Sequence, residues 1–155
     1  MASFTDATGR TWAVNIDVTT IRRLRSALDV NLLDMVEDEG KLLAQLLTDP
    51  VLLVDMIYVI CKPQADQHNL TDEDFGRALV GDAIDRATDA LLEALSAFFP
   101  SQRGALLRRL VEKTRKTMAL AYQVASKQLD GLEITEADIV SRLGSLSTKS
   151  PGSAE

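Results

Sequence analysis

The order of hydrophobic and polar residues divides the chain into a short β segment followed by helices. Residues 3–5 and 11–16 favour strands, and Gly9 in the turn between them tolerates a positive φ, so we predict a β-hairpin over 3–16. From 17 to 100, apolar residues recur at three- and four-residue spacings, which is typical of amphipathic helices. Because an isolated two-stranded hairpin is marginally stable, this one is expected to pack on the helices or to pair with another chain.

Capping residues and prolines indicate where individual helices begin and end. Pro50 suits the first position of a nearly all-apolar helix over 51–62, which we expect to be central to the core. Thr71 and Asp74 have the spacing of a capping box and predict a helix start there. The polar, proline-containing stretch 62–70 is predicted to be a loop.

The last third of the chain predicts one long helix. Residues 105–130 contain no proline or glycine and carry an apolar side, so we expect a helix over 101–130, most clearly near residues 102–129. A short helix over 135–144 and a flexible tail over 147–155 follow. The predicted architecture is therefore a mainly α, compact multi-helix domain over 1–146 with an N-terminal β-hairpin.

Composition places the chain among small globular proteins, and charge divides it in two. The 155 residues are 46% hydrophobic and 26% charged, and the net charge of −6 disfavours a protein held to nucleic acid over its whole surface. Residues 1–100 hold 8 basic and 17 acidic residues, whereas residues 101–155 hold 9 basic and 6 acidic ones. The basic stretch over 101–129 is either a solvated cationic face or a surface for another subunit, an acidic helix or nucleic acid.

The residues that carry most enzyme chemistry are scarce. One cysteine excludes a disulfide within the chain, and one histidine beside it leaves few ligands for zinc. The acidic runs 34–39 and 66–74 do not fit a calcium-binding loop, and no glycine-rich phosphate loop is present. We predict no catalytic, cofactor or metal site. The longest nearly apolar run, 51–61, is far shorter than the ~20 residues that span a bilayer, so no membrane partner is expected.

Short phrases in the first hundred residues resemble a known family. The opening segment reads Phe-Thr-Asp-x-x-Gly-Arg-x-Trp, and similar apolar phrases follow in the same order. They resemble those of tail assembly chaperones of long-tailed, siphovirus-like phages and prophages. The likeness covers residues 4–100, and the long basic helix departs from the family pattern. The segments that carry it are 4–17, 21–24, 30–34, 49–55 and 70–76.

The resemblance implies a role in virion assembly without catalysis. Members of this family are small, mainly helical proteins of the host bacterial cytoplasm that are absent from the mature virion. They coat the tape measure protein, an apolar helical rod, and help the tail tube polymerise around it. The implied partners are the tape measure protein, the tail tube protein and further copies of the chain itself. The alternative is a small helical nucleic-acid-binding regulator that uses residues 101–129.

Six residues are candidates for partner contact. Trp12 sits on the hairpin, where it either docks a partner or seals the hairpin to the helices. The other candidates are apolar residues of one amphipathic segment and basic residues of the long helix. They are Leu42, Leu46, Arg108, Arg109 and Arg115.

Overall fold

The computed structural model describes residues 2–132 and 136–147, with side chains described up to residue 145. It confirms the mainly α fold with an N-terminal β-hairpin. Two short 3-10 helices, Leu32–Val36 and Asp38–Gly40, lie between residues 28 and 41. The strands and α-helices are β1 Ser3–Thr5, β2 Thr11–Ala13, α1 Val18–Leu28, α2 Lys41–Thr48, α3 Pro50–Gln67, α4 Asp72–Ala78, α5 Asp82–Phe98, α6 Ser101–Asp130 and α7 Glu136–Ser147.

The chain forms two compact units, Met1–Thr114 and Arg115–Glu155, where the sequence predicts one domain over 1–146. The first unit contains the hairpin, α1 to α5 and the start of α6, and it holds all the buried apolar side chains of the described residues. The second unit contains the rest of α6 and α7. Of the predicted tail 147–155, only Ser147, the last residue of α7, is described; residues 148–155 lie outside the described part of the chain.

A buried carboxylate organises the hairpin turn. Oδ1 of Asp6 accepts hydrogen bonds from the backbone N–H groups of Thr8 and Arg10, at 2.9 and 3.0 Å, and from the Thr8 hydroxyl. Oδ2 accepts one from the indole Nε1 of Trp12 at 2.8 Å. The carboxylate thus joins the turn to Trp12 of β2. These hydrogen bonds are strong because their acceptor is charged.

The hairpin packs on helices rather than standing alone. The Trp12 ring is buried and meets Phe75 edge to face, with 4.8 Å between ring centroids. Gln64 of α3 both donates to the Ala13 carbonyl and accepts from the Ala13 N–H, as another strand would. On the other side, Arg86 of α5 donates to the carbonyl of Thr5 at 3.0 Å. These contacts supply the support that an isolated hairpin lacks.

The sequence predicts a loop over 62–70, but helix α3 continues to Gln67, so that prediction is wrong for 62–67; only residues 68–70 lie outside a helix. Pro63 lies inside the helix, where it lacks an N–H to donate. Ala65 is buried, Gln64 is held by the hairpin, and Lys62 pairs with Asp66 one turn later. The burial of Ala65 and the contact of Gln64 with the hairpin are tertiary, and together with the local ion pair they offset the cost of the proline. The predicted starts at Pro50 and at the Thr71 capping box are both present.

The backbones of α5 and α6 approach each other closely at Gly104. A Cβ on this residue would stand 2.7 Å from the carbonyl oxygen of Ser96, closer than a carbon and an oxygen can pack. About one helical turn further along α6, Leu107 is fully buried. The missing side chain of Gly104 thus allows α6 to insert Leu107 into the core of the first unit.

We expect Asp6→Asn to lower the free energy of unfolding by about 1–3 kcal/mol, because an amide nitrogen would face an N–H donor in a buried turn. Chemical denaturation followed by tryptophan fluorescence measures the change. Asp55→Asn is the matched control, since Asp55 is exposed on α3. Equal stability of the two variants would contradict this role for Asp6.

The same carboxylate also predicts the direction of acid sensitivity. Burial raises the pKa of Asp6, but the hydrogen bonds from Thr8, Trp12 and Arg10 outweigh it and hold the pKa below its ordinary value of 3.8. A lowered pKa in the folded state gives stability that is complete above the ordinary pKa and is lost as the pH falls through the folded value. The difference between wild type and Asp6→Asn should therefore be constant near neutral pH and shrink below about pH 4.

We expect Gly104→Ala to destabilise the first unit by about 1–3 kcal/mol, although alanine is the better helix former. The reason is that the added methyl group meets the backbone of α5 and not a movable side chain. Thermal unfolding followed by circular dichroism tests this. Gly76→Ala is the control, because Gly76 is also helical and a Cβ there meets nothing within 4 Å. A Gly104→Ala variant as stable as Gly76→Ala would show that the close approach is unimportant.

Candidate partner-binding surfaces

A groove with a cavity volume of about 430 Å³ opens on the first unit between the end of α1, the 3-10 helices, α2 and α3. We call it the acidic groove. Its lining combines half-buried aliphatic side chains with carboxylates, and Lys41 is the one basic side chain among the residues that line it. The lining residues are Leu28, Asp29, Val30, Asn31, Asp34, Glu37, Asp38, Lys41, Leu42, Gln45 and Leu52.

Local backbone chemistry shapes this groove. Helix α1 ends at Asp29 in the left-handed conformation, with φ of 54°. The side chain of Asn31 accepts a hydrogen bond from the N–H of Leu33 and so caps the first 3-10 helix. It also accepts one from the side chain of Arg25. Three more residues with positive φ, Asp38, Glu39 and Gly40, turn the chain into α2. Asp tolerates the left-handed region better than most residues do, and two residues with positive φ, Asp29 and Asp38, also supply carboxylates to the groove.

The start of α6 presents a basic surface to solvent. Residues three or four apart share a face of a helix. Gln102, Leu106, Arg109 and Lys113 follow that spacing and are all exposed, Leu106 by 47%. We call these four residues the basic face of α6. Leu107, on another side of the same helix, is buried.

The second unit exposes apolar side chains at unusual density. Of the twelve large apolar side chains that are exposed in the described part of the chain, eight lie between residues 120 and 143. Each of the eight is between 50 and 71% exposed. We call this set the apolar surface of 120–143. Its members are Leu120, Tyr122, Val124, Leu129, Leu132, Ile139, Val140 and Leu143.

The structure separates the six sequence-predicted contact residues into two groups. Trp12 and Leu46 are each only 1% exposed, so neither is available to a partner in this fold, and the prediction that they form contacts is wrong. Trp12 instead seals the hairpin to the helices. Leu42 is half-buried and lines the acidic groove, and Arg108, Arg109 and Arg115 are exposed on α6.

Of the residues that line the acidic groove, the sequence predicts a contact role only for Leu42, and it predicts none for α7. The groove is formed by the packing of α1, the 3-10 helices, α2 and α3, which no local pattern shows. The exposed residues of α7, Ile139, Val140 and Leu143, have the spacing of an apolar helix face. The sequence did carry a signal for α7, which is an apolar helix face that comes after the helices α3 and α5 of the core.

The reactive side chains do not form a cluster. Cys61 is buried, and burial raises the pKa of its thiol to about 12, so it is protonated at neutral pH and is a poor nucleophile. His68 is exposed, and its ring lies 6.2 Å from that of Trp12. Within residues 2–132 and 136–147, no group of three or more His, Cys, Asp or Glu side chains could hold a metal ion.

Comparisons and a search for membrane spans complete this description. No protein-family model, curated protein or solved structure matches the chain. In the part of the chain that the structure describes, no single helix has the length and apolar content to cross a membrane. The helices Asp38–Thr48 and Pro50–Gln67, bent by 91°, satisfy that test when taken as a pair, although much of α3 is buried in the core.

Proposed function

We propose that this chain is a non-enzymatic phage tail assembly chaperone that binds the tape measure protein. The observation that carries the proposal is the apolar surface of 120–143. Eight exposed large apolar side chains between residues 120 and 143 are a high density for a monomeric protein, and exposed apolar surface commonly serves protein binding. A surface of this kind suits a client whose own apolar residues form a helical stripe.

The spacing of apolar residues on α6 fits a helical client. Met118, Tyr122, Ala125 and Leu129 recur every three or four residues, so they share one side of the helix. All but Met118 are exposed. Burying a large aliphatic or aromatic side chain is worth about 1.5–3 kcal/mol, so a few such contacts suffice for binding at micromolar concentration.

The proposed action is protective and reversible. The chaperone covers the apolar stripe of the tape measure protein in the bacterial cytoplasm until tail tube subunits replace it, and it does not enter the virion. Its net charge of −6 supports this role, because charge keeps a protein with exposed apolar residues soluble before it meets its client.

Replacing Leu129 and Leu143 together by Gln should weaken client binding by tenfold or more, on the basis of about 1.5 kcal/mol for each leucine that the client would bury. The assay is co-expression with the tape measure protein, followed by its soluble fraction and by co-elution on a sizing column. Val18→Gln with Val80→Gln is the matched control, since these two exposed valines lie on the first unit.

Two outcomes would contradict the proposal. One is a tape measure protein that stays insoluble beside the wild-type chain and never co-elutes with it. The other is an equal loss of binding in the leucine and the valine variants, which would show that the apolar surface of 120–143 has no specific part in it.

The basic stretch of α6 keeps nucleic-acid binding as a second candidate. Residues 101–129 hold seven basic residues and one acidic residue, and Arg103, Arg108 and Arg109 are exposed. Under the chaperone proposal, the protein should not retard DNA or RNA in a gel even at low salt. Retardation that disappears between low and physiological salt, and that Arg108→Ala with Arg109→Ala removes, would favour the regulator instead.

A further inference from the structure

We propose that the acidic groove binds the basic face of α6 from a second copy of the chain. Both surfaces belong to the first unit, so this interaction does not involve the apolar surface of 120–143 and does not require the client. It assigns a partner to a groove that no sequence pattern revealed.

The chemistry of the groove defines its occupant. Leu28, Val30, Leu42 and Leu52 give it an apolar lining that is only half covered by the chain itself. The rim carries four carboxylates, against which Lys41 supplies one positive charge. A fitting partner must therefore insert an apolar side chain and place positive charges on either side of it. The carboxylates of the rim are Asp29, Asp34, Glu37 and Asp38.

The chain carries such a ligand on its own surface. On α6, Leu106 is 47% exposed and Arg109 of the basic face lies one turn after it; Arg103, exposed but outside that set of four, lies one turn before it. Residues one turn apart on a helix are about 5–6 Å from each other, so one leucine and its basic neighbours span a groove of this size.

The contact joins two different surfaces, so it is heterologous. Leu107 and Gly104 hold another side of α6 in the core of its own chain, which leaves the basic face directed to solvent. Each copy that docks its basic face still offers an open groove. Heterologous contacts of this kind build rings when the rotation closes and filaments when it does not.

Sedimentation velocity on the full-length protein, over a range of protein and salt concentrations, tests this association. Wild type should form species heavier than the 16.9 kDa monomer as its concentration rises, and added salt should dissociate them. Glu37→Lys in the groove and Arg109→Glu on α6 should each weaken association by about tenfold, because an attraction becomes a repulsion. The matched controls Glu93→Lys and Arg22→Glu make the same charge changes at exposed sites elsewhere and should not alter it.

The double variant Glu37→Lys with Arg109→Glu decides the pairing, since exchanging the two charges should restore association. The variants should fold, because the Glu37 side chain caps no helix and Arg109 is exposed; circular dichroism of each one checks this.

A wild type that stays monomeric would overturn the proposal and leave the groove to a basic helix of another protein. Association that survives both single reversals but is lost on Leu129→Gln with Leu143→Gln would overturn it in favour of pairing through 120–143. A double variant that associates no better than the single ones would overturn it as well.

Discussion

The close approach of α6 to α5 at Gly104 determines which surfaces this protein can offer. An α-helix has a fixed rotation per residue, so once Gly104 and Leu107 are fixed in the core of the first unit, the directions of the neighbouring side chains of α6 in that unit follow. Gly104 lies against the carbonyl of Ser96, and Leu107 enters the core. Leu106 and Arg109 must then face solvent. One small residue thereby creates a basic face on the longest helix of an acidic protein.

The acidic groove depends on a different constraint, which is backbone conformation. Three residues without glycine's freedom, Asp29, Asp38 and Glu39, adopt positive φ around it. Such conformations cost about 1 kcal/mol or more for each residue, and folded proteins retain them where the surrounding structure requires a particular turn. Asp29 and Asp38 line the groove, while Leu32 and Met35 of the first 3-10 helix are buried in the core. The groove is thus formed at a cost that the core offsets.

Local chemistry explains what could be predicted from the sequence. The helix starts at Pro50 and Thr71 depend on a ring and a hydroxyl acting within one turn, so they were predicted correctly. Pro63 predicts a loop because a proline disfavours a helix locally. The contact between Gln64 and Ala13 that keeps α3 helical joins residues 51 positions apart, so no local pattern indicates it. Long-range packing overrode the local preference there.

The candidate site shows the same division between local and long-range information. Leu42 and Leu46 are one helical turn apart with the same side chain, yet Leu42 lines the groove and Leu46 is buried. Their periodicity indicates an apolar face but not what covers it. The sequence leaves the role of Trp12 open for the same reason. Its burial depends on Phe75, which lies on α4, far along the chain. The exposed arginines of α6 were easier to identify, because charged side chains seldom enter a core.

The two kinds of surface respond to solution conditions in opposite ways, which allows a single small chain to use both. Pairing between the acidic groove and the basic face of α6 is electrostatic, so salt screens it. Contacts through the apolar surface of 120–143 depend on removing apolar area from water, and salts such as sulfate strengthen them. Sequence places most of the negative charge before residue 100 and the basic excess after it. That separation supplies the complementary charges of the proposed pairing between copies, while eight of the twelve exposed large apolar side chains of the described residues lie between residues 120 and 143.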